Sequence, residues 1–252
     1  MFKVPILLLS YNRYDCTKKS INAILKVKPS KLYISNDGPK LSKKDNLKVL
    51  KTRNLFTKIK SKKINIKMML NDKNLGCKNS NLKAINWFFK QEKEGIIIED
   101  DCIASKDFFY FAALMLKKYR NKKKIYCISG TNFQDQPINK NSYYFSKYNH
   151  CWGWATWRDR WNFNKKKIYF WPKFKKSNVW NKLHQNRVEK KYWNKIFDQV
   201  FKEKFDSWAY PWTLSVWKQN GITITPNFNL VKNIGFGNKS THGFFLKNKI
   251  KY

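Results

Sequence analysis

The sequence predicts an α/β fold with a mostly parallel sheet flanked by helices, and two observations support this prediction. Short apolar segments, each long enough for one buried strand, alternate about four times with segments of helical spacing. Several apolar segments end directly in polar or acidic residues, as strands do at the carboxyl edge of an open α/β sheet. We therefore expect the loops after successive strands to meet at one edge, although they are far apart in the chain.

The alternation is confined to the first 130 residues. Strands are predicted at residues 4–9, 32–35, 64–70, 96–98 and 125–128. Helices are predicted to begin near residue 15, near Ser42, near Asn79 and near Ser105. Ser42 and Ser105 are predicted to cap the first turn of their helices, and either Asp15 or Thr17 is predicted to cap the first helix.

The pattern changes after residue 130. Residues 131–150 are predicted to form a polar loop, residues 151–157 are rich in tryptophan, and residues 180–204 are predicted to be helical. No internal repeat or low-complexity linker separates the two halves. We therefore predict one domain, in which residues 1–130 form the α/β part and residues 131–252 an aromatic-rich extension of it.

The charge of the chain favours anionic partners. The 252 residues carry a formal net charge of +37, and 42% of them are hydrophobic, enough for a substantial core. Such a field attracts nucleotide diphosphates, nucleic acid or an anionic membrane surface. Nucleic-acid binders usually concentrate basic residues in a stripe or arm, whereas here they occur throughout the chain. The distribution makes nucleic acid the less favoured partner.

Cysteine content and hydropathy predict a cytoplasmic protein. The five cysteines are odd in number and form no C-x-x-C pair, so free thiols are expected instead of a disulfide framework or a zinc ribbon. No apolar run approaches the length of a transmembrane helix, and residues 6–9 are too short for a signal-peptide core. We expect at most peripheral contact with the inner face of a membrane.

The most informative stretch is Ile96-Ile97-Ile98, which runs directly into Glu99-Asp100-Asp101. Three adjacent carboxylates repel one another, and they are tolerable at a strand end only if a cation or hydrogen-bond donors offset their charge. Carboxylate oxygens suit Mg²⁺ or Mn²⁺, with a substrate diphosphate completing the coordination shell. The alternative interpretation is a solvated acidic turn.

Five segments in a fixed order resemble one enzyme family. They are Leu-Ser-Tyr-Asn-Arg after the first strand, Asn-Asp-Gly after the second, Asn74-Leu75-Gly76, the Ile-Ile-Glu-Asp-Asp run, and Trp152-Gly153-Trp154. From about residue 4 to 242 the chain resembles bacterial GT-A fold glycosyltransferases related to the N-acetylglucosaminyltransferase that starts the branching of N-glycans. The resemblance implies a GT-A fold in which residues 1–130 bind a nucleotide sugar and residues 131–252 face the acceptor.

The resemblance also implies roles for individual residues. Glu99-Asp100-Asp101 corresponds to the family's DXD motif, so Asp101 would ligate Mn²⁺ at the donor diphosphate, and Asp100 and Glu99 would face the ribose and the sugar. The other implied positions are Ser10, Asn12 and Arg13 in the nucleoside pocket, Asp37 at the nucleobase N–H, and His242 near the metal or diphosphate.

Further candidates follow from residue chemistry. Inverting transfer needs a base, and Asp206 is the candidate. It lies close in sequence to Trp208, Tyr210 and Trp212, whose rings can stack on sugars. The alternative role of Asp206 is a helix cap for the segment that follows. Trp152 and Trp154 are candidates for the wall of the sugar site, or else part of the core. Lys78 and Lys83 are candidates for phosphate contact, or else solvated.

The sequence therefore predicts a metal-dependent, inverting glycosyltransferase that uses a nucleotide-diphosphate sugar, with a UDP-sugar favoured. Its acceptor would be a surface glycan or a lipid-linked sugar. One alternative is a nucleotidyltransferase, which would usually have a glycine-rich phosphate loop after its first strand; Ser10-Tyr11-Asn12-Arg13 contains no glycine. The other alternative is a non-enzymatic nucleic-acid-binding protein.

Overall fold

An eight-stranded sheet lies at the centre of the protein, with the strand order β3-β2-β1-β4-β8-β6-β9-β7. The computed structural model describes residues 1–59 and 63–236. The strands are β1 Ile6–Ser10, β2 Lys31–Asn36, β3 Asn65–Leu70, β4 Glu94–Glu99, β5 Cys102–Ala104, β6 Ile125–Ser129, β7 Tyr143–Ser146, β8 Trp154–Trp157, β9 Ile222–Pro226 and β10 Val231–Asn233. The helices are α1 Tyr14–Lys26, α2 Lys43–Thr57, α3 Gly76–Gln91, α4 Lys106–Tyr119, α5 Arg158–Trp161, α6 Trp171–Phe174, α7 Asn178–Leu183, α8 Arg187–Phe201 and α9 Ala209–Lys218.

The sheet is mostly parallel, which confirms the predicted fold class. Strands β1 to β4 pair in parallel, as do β6 and β9, whereas β8 and β7 run antiparallel to their neighbours. A separate two-stranded sheet joins β5 to β10. All five strands predicted in the first half are present, and residues 222–225 lie in β9.

The central strands are buried on both faces, so the sheet separates two hydrophobic cores. Alternate residues of β4 divide between them: Ile96 and Ile98 pack with α1, α2 and α4, and Ile97 packs with α3, α8 and α9. Much of the tryptophan content lies in the second core, where Trp154, Trp161, Trp208 and Trp212 contact one another. A continuous apolar run in β4 is what burial on both faces requires.

Two predicted caps are confirmed and one is wrong. Ser42 and Ser105 accept hydrogen bonds from the third backbone N–H of α2 and α4. Neither Asp15 nor Thr17 caps α1, because that helix already begins at Tyr14 and the Thr17 hydroxyl donates to the Arg13 carbonyl. Helix α3 begins at Gly76 instead of near Asn79.

The second half contains structure that the sequence pattern did not indicate. Strand β8 lies between β4 and β6, and β7 lies within the predicted loop 131–150. The predicted helix 180–204 is two helices, since Asn186 caps α8 through hydrogen bonds from Val188 and Glu189. Across the part of the chain that is described, the helices are too short or too polar to cross a bilayer.

Gly95, in β4, lies where a side chain has no room. A Cβ atom there would lie 2.2 Å from the ring of the fully buried Phe88 and 3.0 Å from the Pro5 carbonyl oxygen. We expect Gly95→Ala to lower the free energy of unfolding by about 1–3 kcal/mol, because the ring must shift within a packed core. Urea denaturation measures this, with the exposed Lys93→Ala as control. Equal stability of both variants would contradict the packing described.

Candidate active site

Three strand ends meet at one edge of the sheet. Strand β1 lies between β2 and β4 and is parallel to both, with Ser10 beside Asn36 and Leu9 beside Glu99. The loops that follow these strands therefore lie together, as predicted. The chain order of the strands reverses at β1, and open α/β sheets bind ligands at such a switch point.

Arg13 connects the loop after β1 to the acidic end of β4. Its guanidinium nitrogens lie 2.8 Å from an Asp100 oxygen and 3.0 Å from an Asp101 oxygen. The Tyr11 backbone N–H donates a second hydrogen bond to Asp100, at 3.2 Å. Both aspartates are buried, at 3% and 8% exposure, so this is not a solvated acidic turn. A single guanidinium faces three carboxylates.

The carboxyl groups at this strand end resist ionisation. Burial, with repulsion from Asp101, raises the pKa of Glu99 to about 8. Burial likewise raises the pKa of Asp100 to about 6, although the Arg13 guanidinium acts in the opposite direction. The negative charge is therefore incompletely compensated by the protein, and an additional cation would stabilise the ionised form.

The donor set beside Asp101 fits a hard divalent ion. Glu99, Asp101 and Cys102 each offer one ligand atom, and the three atoms lie within 4.8 Å of one another. Burial raises the pKa of the Cys102 thiol well above its usual value, so its sulfur stays protonated and ligates poorly. A Cβ at position 235 would lie 2.1 Å from Asp101 Oδ2, the oxygen that pairs with Arg13, so only glycine leaves room beside it. Carboxylate oxygens suit Mn²⁺ or Mg²⁺.

Asp206 and Trp208 approach the acidic strand end from the second half of the chain. The Trp208 indole N–H donates to Glu99 Oε1 at 3.0 Å, and its ring stacks on Trp154. Asp206 is exposed and accepts hydrogen bonds from the backbone N–H groups of Cys77 and Lys78, at 3.0 and 2.9 Å. Asp206 therefore caps α3, and not the segment that follows it, for which the sequence left a capping role open.

Asp37 holds the segment that leads into α3. Its buried carboxylate accepts hydrogen bonds from the backbone N–H groups of Gly38 and Leu75 and from the amides of Asn71 and Asn74. The Lys83 ammonium donates to the same Asn71, at 2.7 Å. Asp37 and Lys83 are thus brought together through one asparagine, and the Asp37 oxygens contact internal donors.

The loop after β1 is fixed by residues of β2 and α2. Ser10 donates to the Ser35 carbonyl and accepts from the Asn36 amide. The Asn12 amide and the Tyr11 hydroxyl both donate to Asp45. Asp45 lies in the first turn of α2, more than 30 positions from the loop that it holds, so its role at the site was missed in the sequence.

Two sequence-predicted residues remain, Trp154 and His242. Trp154 is 1% exposed in the second core and reaches the acidic cluster only through Trp208. His242 lies outside the described residues. Trp208 itself was named in the sequence only as a neighbour of Asp206, because its hydrogen bond to Glu99 spans 109 positions.

Comparison with solved structures shows the fold. Over 95% of this chain and 44% of the other, the protein superposes on GalNAc-T7 crystallised with UDP, GalNAc and Mn²⁺, at 8% identity and a TM-score of 0.54. The 4-diphosphocytidyl-2C-methyl-D-erythritol synthase of Anaerococcus prevotii covers 69% of this chain and 78% of its own at 10% identity and a TM-score of 0.40. UDP-glucose pyrophosphorylase complexed with UDP-glucose covers 65% and 80% at 8% identity and a TM-score of 0.37.

The likeness to GalNAc-T7 confirms an α/β architecture of the GT-A type. The chain spans less than half of the GalNAc-T7 chain. No protein-family model matches the sequence, and no curated protein matches it. The narrower resemblance to N-acetylglucosaminyltransferase I-like enzymes stays a prediction.

The raised pKa of Glu99 makes stability depend on pH. Folded protein keeps this proton up to about pH 8, whereas the unfolded chain loses it near pH 4.5, so the free energy of unfolding should fall as pH rises through this interval. The expected slope reaches about 1.4 kcal/mol per pH unit. Glu99→Gln cannot titrate and should flatten it.

Urea midpoints of metal-free protein between pH 7 and 8 measure this slope, because Asp100, with a pKa of about 6, is mostly ionised in that window. Asp135→Asn, at an exposed loop position, is the matched control and should keep the wild-type slope. A Glu99→Gln profile as steep as that of the wild type would contradict the burial assigned to this carboxyl group.

Proposed function

We propose that the chain is a metal-dependent glycosyltransferase that moves a sugar, with inversion, from a UDP-sugar donor to a glycan or lipid-linked acceptor. The observation that carries the proposal is the carboxylate cluster Glu99-Asp100-Asp101 at the switch point of the sheet, in which both aspartates are buried and pair with the Arg13 guanidinium. The fold shared with GalNAc-T7, crystallised with UDP, GalNAc and Mn²⁺, supports it.

Asp101 and His242 are assigned as metal ligands, the histidine on the sequence alone. When bound, Mn²⁺ or Mg²⁺ offsets the charge that grows on the leaving nucleoside diphosphate. Glu99 and Asp100 are assigned to the sugar and ribose side of the donor. Trp208 supports this arrangement, because its hydrogen bond to Glu99 limits where that carboxyl group can turn.

The nucleoside is assigned to the loop after β1 and the end of β2. Ser10, Asn12 and Arg13 line this pocket, and Lys83 is the candidate for a phosphate contact. Asp37 is the candidate acceptor for the nucleobase N–H. The Asp37 oxygens already accept hydrogen bonds from four residues. A nucleobase would therefore bind by sharing an oxygen or by displacing Asn74, the more exposed of the two amide donors.

Asp206 is assigned as the base. A carboxylate has about four lone-pair sites, and the two hydrogen bonds to α3 leave others free to accept the proton of an acceptor hydroxyl. As that hydroxyl oxygen bonds to the anomeric carbon, the bond from this carbon to the diphosphate oxygen breaks on the opposite side. Trp154, which is 1% exposed, is assigned to support the sugar site from behind Trp208, on which its ring stacks.

The acceptor is assigned to residues 131–252. The net charge of +37 favours an acceptor presented at an anionic surface, such as the inner face of a membrane. A nucleotidyltransferase shares the metal requirement, but the glycine-free loop Ser10-Tyr11-Asn12-Arg13 offers no phosphate cradle of the kind such enzymes use.

Asp101→Asn tests the metal site. We expect donor hydrolysis or transfer with Mn²⁺ to fall about 100-fold, because one carboxylate ligand and its charge are lost. Turnover of a panel of UDP-sugars, with and without EDTA, measures the effect, and Asp135→Asn is the control. Turnover indifferent to both EDTA and Asp101→Asn would overturn the proposal, and net synthesis of UDP-sugar from UTP and sugar 1-phosphate would indicate the nucleotidyltransferase.

Asp206→Asn separates catalysis from helix capping. The asparagine oxygen can accept from only one of the two α3 N–H groups that now bond to separate Asp206 oxygens, so we expect a small loss of stability. UDP binding should change little, while transfer falls by about 100-fold or more. Calorimetric UDP titration and transfer assays measure the two effects. Asp198→Asn, a carboxylate bonded to Trp171 and Lys175, is the matched control. Transfer rates equal to the wild type would remove Asp206 from the mechanism.

A further inference from the structure

A cavity of about 230 Å³ lies where the first turn of α3 meets the end of α8. It is lined by Lys78 of α3, by Lys202 and Glu203 after α8, by Lys167, and by the rings of Tyr169 and Phe201. The backbone of Lys78 donates to Asp206, so the same residue contacts the proposed base and the cavity. The cavity is not part of the carboxylate cluster.

Lys78 is the unusual member of this lining. The residue is only 8% exposed, and among the described residues its ammonium has no hydrogen bond or ion pair. Its Nζ is not among the buried polar atoms that lack a partner, so the ammonium opens into the cavity and not into the core. An ammonium in that position can pair with an anion that enters the cavity.

Glu203, the one carboxylate of the cavity lining, is paired with a lysine other than Lys78. Glu203 is paired with Lys167 at 3.0 Å. The hydrogen bond from Lys167, followed by its charge and that of Lys78, lowers the pKa of Glu203, which indicates that the Lys78 ammonium faces the same cavity. Three ammonium groups against one carboxylate leave a net charge of +2 on the lining.

The rim carries aromatic surface. Tyr169 is 74% exposed and Phe201 is 40% exposed, and both border the cavity. The volume is below the roughly 300 Å³ at which drug-sized ligand pockets begin, so one charged group with an attached ring is what fits. Ammonium groups in the cavity and aromatic rings at its rim suit an anionic sugar.

We propose that this cavity binds the oxyanion, phosphate or carboxylate, of an acidic sugar in the acceptor. The inference deepens the proposed glycosyltransferase function and rests on it, because the bound sugar is an acceptor only if the chain transfers a sugar. An acceptor anchored at Lys78 lies next to Asp206, because the Lys78 N–H is bonded to that carboxylate. The oxyanion has two possible sources, the phosphate of a lipid-linked sugar or the carboxylate of a uronic acid.

The test is calorimetric titration at 150 mM salt with glucose 1-phosphate, glucuronic acid and neutral glucose. We expect saturable binding of at least one of the two acids and at least tenfold weaker binding of glucose. Lys78→Gln should weaken binding of that acid at least tenfold. The tighter of the two acids identifies the source of the oxyanion.

Two further variants keep the test decisive. Lys202→Gln, at the exposed rim, removes a cavity charge without touching the core and should weaken binding several-fold even if Lys78→Gln does not fold. Lys117→Gln, exposed on α4 against the other face of the sheet, is the charge-matched control and should change affinity less than twofold. Failure of both acids to bind, equal binding of glucose, or equal losses in Lys202→Gln and Lys117→Gln would overturn the proposal.

Binding of UDP with Mn²⁺ to the same proteins distinguishes the two proposals. It should be unchanged in Lys78→Gln, since the donor is assigned to the strand ends. If an acid binds at Lys78 but UDP with Mn²⁺ does not bind the wild type, the anion site stands and the glycosyltransferase assignment fails. If UDP with Mn²⁺ binds and neither acid does, the glycosyltransferase assignment stands and the anion site fails.

Discussion

The ion pairs of Arg13 with Asp100 and Asp101 are the constraint on which the candidate site depends. They join the loop after β1, the start of α1 and the end of β4, so three elements share one electrostatic contact. This guanidinium, together with hydrogen bonds such as that from the Tyr11 N–H, offsets the desolvation of the carboxylates. A divalent ion binding Asp101 would have to share its oxygens with Arg13 or displace the guanidinium, so metal binding and the conformation of this loop are coupled.

The start of α3 is fixed in a similar way, by carboxylates distant in sequence. Asp37 accepts from the Leu75 N–H, and Asp206 accepts from those of Cys77 and Lys78. Backbone donors that a helix normally leaves unpaired are thus bonded to residues of β2 and of the segment before α9. Substrate contact at either aspartate would compete with these bonds, so any ligand there also acts on the position of α3.

The sequence predicted what local pattern determines and missed what distant contacts determine. Runs such as Ile96-Ile97-Ile98 are strands in most contexts when buried on both faces, and Ser42 and Ser105 cap helices from within their own turn. The start of α3 depends on Asp206, about 130 positions away, and no periodicity in the sequence indicates this contact. Strand β8 lacks alternation because it is buried on both faces, and Trp154, read as a wall of the sugar site, packs inside the core.

The distribution of charge bears on how a donor would reach the site. The sequence has 53 basic and 16 acidic residues, so a diphosphate is attracted from any direction over about a Debye length, roughly 8 Å at physiological ionic strength. At the strand ends the sign reverses, because Asp100 and Asp101 share one guanidinium. A bare diphosphate would be repelled at the last step, whereas its complex with a divalent ion would not. On the proposed function, the local acidity of the site therefore selects a metal-bound donor from the anions that the rest of the surface attracts.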